Sequence, residues 1–219
     1  MRSIIKYMSF IIIVAVIFAV LVLLKNFNML PEKIYYAEDF NIQVIKSEND
    51  LDSDGIDDYS DILQGAKLEA ENKPAYRSGY YDGGYPPNNE GVCTDVIWRA
   101  LKNAGYNLKE MVDKDIKESL SLYTSIDKPD PNIDFRRVRN LKVFFDKNYT
   151  KLTNNPYDID EWMPGDIVIF GTSHIAIISD RRNEEGIPYI IHNASQPNRD
   201  EDAIMYWHKT RGITGHYRL

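Results

Sequence analysis

Residues 8–24 are apolar apart from Ser9. A membrane-crossing helix needs about 20 apolar residues, with ~17 as the lower limit, so this run suffices for one span. Arg2 and Lys6 precede it and Lys25 follows. Basic residues ahead of a first span favour a cytoplasmic N-terminus. No good small-residue cleavage site follows Leu24, so the run reads as an uncleaved signal anchor. A cleaved signal peptide would send the remainder to the same side. The expectation is a single-pass cell-membrane protein with an extracytoplasmic C-terminal domain. Residues 26–49 mix polar and apolar positions without a period, which predicts a stalk or lead-in.

Beyond residue 61 the pattern turns helical. Ile62, Leu63, Ala66 and Ala70 predict a short helix that stops before Pro74. Val96, Ile97, Ala100, Leu101 and Ala104 recur at helical spacing, with Gly105 as the stop. Leu108, Met111, Val112 and Ile116 predict another helix, and Phe135, Val138, Leu141 and Phe145 a third. From Pro164 the period changes. Residues 167–170, 174–179, 189–193 and 213–217 are short β-branched runs separated by turn residues. Helices first and strands afterwards predict an α+β fold. The division is an anchor over residues 1–25, a lead-in over 26–49, an acidic loop over 50–61 and a domain over 62–219.

Composition narrows the classes. A formal charge of -7 argues against nucleic acid as a partner, since such binders displace counterions with a basic face. The single cysteine excludes an intrachain disulfide, leaving Cys93 as a small buried hydrophobe or a nucleophile. It stands in Gly91-Val92-Cys93-Thr94-Asp95, where a Gly-containing loop enters a helix, with Thr94 as the expected N-cap and Asp95 in the first turn. The positive end of the helix dipole there favours a thiolate. His174 opens one predicted strand and His192 lies on the next. Neighbouring strands can present both on one face. A helix packed across that face would bring Cys93 within hydrogen-bonding reach of His174. Nucleophile, base and orienter form the set that thiol catalysis requires, and Asn193 is the rival orienter. An isolated histidine is more often simply satisfied in a core.

Further residues carry a resemblance. Tyr80-Tyr81-Asp82-Gly83-Gly84, then Cys93, then Ala104-Gly105 resemble the signature of the NlpC-type papain-like cell-wall cysteine peptidases. Pro164-Gly165-Asp166-Ile167-Val168-Ile169-Phe170, His174-Ile175-Ala176-Ile177-Ile178 and Ile191-His192 resemble its three strand motifs. The resemblance spans roughly residues 76–193. It implies a papain-like core, with the Cys-bearing helix on an antiparallel sheet and a Cys93–His174–His192 triad acting on cell-wall peptides or peptidoglycan without a cofactor. Family members carry Asp-Cys-Ser-Gly where this chain has Val92-Cys93-Thr94-Asp95. The ending Gly215-His216-Tyr217-Arg218 is similar to that of bacterial domain families of unknown function. Other classes remain open: a catalytically silent wall-binding or scaffolding domain, or acyl transfer by the same Cys–His pair.

Three secondary features complete the reading. Asp50, Asp52, Asp54, Asp58 and Asp61, with Gly55, follow the spacing of a calcium loop. The loop is a candidate structural Ca2+ site or else a solvated acidic turn. Tyr80, Asp95 and Arg136 are candidate substrate-holding residues. Arg136 belongs to a cluster with Arg137 and Arg139 that either clamps a carboxylate or is solvated. No short histidine motif supports zinc.

Overall fold

The computed structural model describes residues 2–26 and 33–219, in two units divided between Lys33 and Ile34. The first unit holds helix α1 (Arg2–Asn26). Within it Lys6–Leu24, 19 residues of mean hydropathy 3.1, is long and apolar enough to cross a membrane. Residues 27–32 of the predicted lead-in lie outside the described residues.

The rest of that lead-in belongs to the second unit. Tyr35 exchanges main-chain hydrogen bonds with Arg182, at 3.0 and 2.7 Å. Arg182 is itself buried, and its guanidinium donates to the carbonyls of Ile159, Trp162 and Gly186. A buried cation satisfied by three carbonyls is a fixed anchor. Residues 34–49 are therefore fastened to the globular unit and do not form a stalk.

After the acidic loop come α2 (Asp58–Asn72), β1 (Ala75–Tyr76), β2 (Glu90–Gly91), α3 (Cys93–Asn103), α4 (Leu108–Ser119) and α5 (Val138–Asn148). They are followed by β3 (Thr150–Lys151), β4 (Ile167–Phe170), β5 (His174–Arg182), β6 (Pro188–Ile191), β7 (Asp200–Glu201), α6 (Ile204–Arg211) and β8 (Ile213–Arg218). The main sheet is antiparallel, in the order β3-β8-β4-β5-β6-β7. The fold is thus helical segments packed on an antiparallel sheet.

The central strands are apolar on both faces, so the sheet is covered on both sides. Ile167, Ile169, Ile175, Ile177 and Ile191 share a core with α2, α3, α4 and α5. Val168, Phe170, Ala176, Ile178 and Ile190 share the other with Trp162 and with Ile204 of α6. Helix α3 is held close to α2: a Cβ on Gly65 would lie 2.6 Å from the Asn103 Cβ and 2.9 Å from the Ala100 Cα. Only glycine admits that approach. The C-terminal motif closes the sheet. His216 Nε2 lies 2.9 Å from Asp166 Oδ2, Arg218 donates to both oxygens of that carboxylate at 2.8 and 2.7 Å, and Trp162 stacks on the imidazole. Gly215-His216-Tyr217-Arg218 thus locks onto the Pro164-Gly165-Asp166 turn as a structural clasp.

Candidate functional site

Cys93 is the first residue of α3, and its N-cap is Val92 rather than the expected Thr94. The Thr94 hydroxyl is turned away and donates to the Arg136 carbonyl at 3.2 Å. Capping falls to Asp95, whose carboxylate accepts the Val92 N–H at 2.7 Å and the Trp98 indole N–H at 2.7 Å. Arg136 completes the arrangement with a two-pronged pair to Asp95 at 2.7 and 2.9 Å, and it also donates to the Gly79 carbonyl. Both side chains are almost wholly buried, at 0% and 2% exposure. The candidate substrate residues Asp95 and Arg136 are thus committed to each other. They fix the loop before Cys93 to the segment before α5. Tyr80 is exposed; its hydroxyl donates to the Asp130 carboxylate and accepts from Asn132.

The Cys93 sulfur is buried. Burial pushes its pKa from an ordinary 9.0 to about 11, and the negative charge of Asp95 adds to the rise. The N–H groups of Ile175 and Thr94 act in the opposite direction without prevailing. The thiolate expected from the helix terminus is therefore not the resting form, because desolvation exceeds what one helix end supplies.

His174 and His192 do meet on one face. His174 Nε2 and His192 Nδ1 are 2.9 Å apart, and His192 Nε2 lies 3.1 Å from a Glu201 carboxylate oxygen. The register places Ile177 opposite Ile191, so His192 follows directly on the paired segment. The helix over this face is α6, not α3: Trp207 stacks on His174 with ring centres 3.9 Å apart. Arg211 lies over the Trp207 ring and bonds Ser173. Helix α3 packs on the opposite face, against Ile175 and Ile177. Cys93 reaches the sheet through the Ile175 main chain, one residue from His174, and no hydrogen bond joins the two side chains.

Burial lowers the pKa of both histidines, His192 to about 3, with charge from His192 and then Arg211 adding at His174 and from Arg199 at His192. Both imidazoles are neutral, so each must carry one proton. Gln196 Nε2 also lies 3.1 Å from His192 Nε2. Its amide orientation is set by the Ala194 N–H, which donates to Oε1 at 2.7 Å. A proton on His192 Nε2 suits the carboxylate, and a charge-assisted bond is the stronger of the two. His192 Nδ1 then accepts from His174 Nε2–H, leaving His174 Nδ1 as the basic nitrogen. Sequence reasoning missed Glu201, Gln196 and Trp207. Glu201 sits on a two-residue strand, which no hydrophobic pattern marks.

A cleft of about 720 Å³ opens beside Cys93, lined also by Tyr76, Thr172, Ser173, Arg137 and Arg139. The Arg137 and Arg139 side chains are exposed and, among the described residues, make no hydrogen bond or ion pair. Elsewhere, single carboxylate oxygens of Asp50, Asp52 and Asp54 lie within 4.8 Å of one another. Asp58 is withdrawn from that group: its carboxylate accepts from the Leu51 N–H at 2.8 Å and the Tyr106 hydroxyl at 2.5 Å.

The family model described as Domain of unknown function (DUF1287) matches residues 63–219, and the chain belongs to that family. It is 36% identical over 154 residues to the Uncharacterized protein YijF of Escherichia coli (strain K12), covering 66% of this chain and 72% of that protein. No solved structure matches.

Proposed function

We propose that this chain is a membrane-anchored, extracytoplasmic thiol hydrolase on a papain-like core, cutting an amide bond in cell-wall peptides. The observation that carries the reading is the Glu201–His192–His174 relay, which ends one residue from the main-chain N–H that meets the Cys93 sulfur. Buried histidines are most simply satisfied by main-chain groups. A chain of two imidazoles ending in a carboxylate instead fixes the tautomer of the first. The motif resemblance and the apolar N-terminal helix support the substrate class and the location.

In this mechanism the thiol is neutral until substrate arrives. His174 Nδ1 takes the proton as Sγ attacks the carbonyl carbon, and then delivers it to the departing amine. Water next cleaves the thioester, with His174 again the base. Because the two side chains lie on opposite faces, the contact that the resting structure lacks must close by movement of the turn at residues 171–173, which leads into His174 and lines the cleft beside Cys93. Such contacts commonly tighten only with substrate bound. The exposed guanidinium groups of Arg137 and Arg139 favour a substrate with a carboxylate near the scissile bond.

The test is release of fragments from purified peptidoglycan by the full chain in detergent. Cys93→Ala should abolish release, and His174→Ala should reduce it about 10²–10⁴-fold. Wild-type turnover in Cys93→Ala would refute the thiol mechanism. A second reading, a silent wall-binding domain, is favoured by the buried thiol and the opposed faces. Peptidoglycan retention without cleavage by any variant would establish it, and acyl transfer would show as a Cys93-dependent product carrying an added amine.

A further inference from the structure

We propose that Asp50, Asp52, Asp54 and Asp61 form a calcium site that fastens α2 to the C-terminal end of the helix carrying Cys93. Asp50, Asp52 and Asp54 are exposed, and three such carboxylates alone are no more than an acidic turn. Asp61 supplies the independent observation. It lies on the first turns of α2 with 1% of its surface exposed, and its Oδ2 is buried with no hydrogen-bond partner. A buried carboxylate oxygen without a donor is costly and calls for a ligand. Asp61 and the loop meet the same end of α3, where Asn103 bonds the Asp61 carbonyl and Gly105 packs against Asp52, so this buried carboxylate lies next to the three exposed ones. Carboxylates gathered at one place repel unless a cation lies among them.

The chemistry selects calcium. The donors are all oxygens, which suits a hard cation. Asp50, Asp52, Asp54 and Asp61 occupy the first, third, fifth and twelfth places of a 12-residue loop, where calcium loops place their side-chain ligands. Gly55 holds the sixth place at φ 94°, the sharp turn that such a loop makes. Flexible, high-coordination oxygen cages fit calcium better than magnesium, which demands a tight octahedron.

The site is tied to α3. A Cβ on Gly105, just past α3, would lie 3.1 Å from the Asp52 Cβ, and the Asn103 amide donates to the Asp61 carbonyl at 2.9 Å. An ion bridging the loop and Asp61 would therefore brace the far end of the Cys93 helix. The inference is independent of any chemistry at Cys93.

The experiment is calorimetric titration of the chelator-treated full chain in detergent, followed by thermal melting. Calcium should bind saturably at millimolar concentration or below. At 100 times its dissociation constant it should raise the melting temperature by roughly 5–10 °C, with a much smaller rise in magnesium. D52N/D54N and D61N should each abolish the rise. In chelator, D61N should melt no lower than the parent, because it removes an uncompensated buried charge. No saturable calcium binding by the parent chain overturns the site. An equal rise in magnesium, or an unchanged calcium response in D61N, does the same.

Discussion

The resting charge of Cys93 decides how this site could work, and alkylation reads it directly. The buried sulfur sits at about 11 instead of an ordinary 9.0. Below pH 9 the thiolate fraction is therefore lowered about 100-fold, since each pKa unit is a factor of ten. Only the thiolate attacks iodoacetamide and displaces iodide, so Cys93 in the folded full chain should react at least 100-fold more slowly than free cysteine at pH 7.5. Limited access through the cleft slows it further. The rate should climb about tenfold per pH unit from pH 6 to pH 10 without a plateau. His174→Ala should leave the curve in place, because a neutral imidazole contributes no charge to hold a thiolate. A preformed thiolate–imidazolium pair predicts the reverse: fast labelling, a plateau below pH 8.5, and loss of that plateau in His174→Ala. Observation of the plateau would refute the neutral-pair reasoning.

Three further outcomes follow from the same geometry. Glu201→Gln removes a charge-assisted acceptor worth about 1.5–3 kcal/mol, so kcat on peptidoglycan should fall roughly 10–100-fold with KM unchanged; a kcat equal to the parent's would take Glu201 out of the relay. Asp166→Ala strands Arg218 and His216 in the clasp and should cost about 3–5 kcal/mol in urea unfolding, and a loss below ~1 kcal/mol would contradict the clasp. Both imidazoles titrate below their ordinary 6.5 in the folded chain, so the unfolded chain binds more protons under acid. Their contribution is complete above pH 6.5 and is lost as pH falls, by about 2 kcal/mol per histidine at pH 5. A His174→Asn/His192→Asn chain should flatten that dependence, and an unchanged slope between pH 7 and pH 5 would show that the imidazoles are not held neutral.

Much of the architecture was legible because burial leaves period and turn chemistry in the chain. Val96, Ile97, Ala100 and Leu101 mark the buried stripe of α3, and Gly105 marks its end. Residues 167–170 and 174–179 read as strands because their apolar runs are short and β-branched. That same feature hid the facing of the site. Strand β5 is apolar at both Ile175 and Ala176, so its hydrophobicity cannot say which face receives α3 and which α6. Helix α6 itself was missed, since eight residues with Ile204, Met205 and Trp207 clustered at one end carry no repeated stripe. The N-cap preference for threonine misled for a different reason: a fully buried Asp95–Arg136 pair took over capping, and tertiary context outweighs a local preference worth ~1 kcal/mol.

The Asp95–Arg136 pair adds to the burial that keeps the thiol un-ionised at the helix terminus. The N-terminal N–H groups of a helix can stabilise one nearby anion well. Here Asp95 is that anion: it takes the Val92 N–H and lies two residues from Cys93, raising the thiol's pKa through like charge. Arg136 neutralises Asp95 and gives its third nitrogen to the Gly79 carbonyl. The terminus is therefore used for position, and holds Cys93 in the wall of the cleft without charging it. Both histidines are held neutral on the other face of the sheet by burial under Trp207. If this site performs thiol chemistry, charge must arise there only as a proton moves from Sγ toward His174, and Glu201 is the group placed to stabilise the imidazolium that results. On that reading the carboxylate at the end of the relay would have a role that a merely satisfied pair of core histidines does not require.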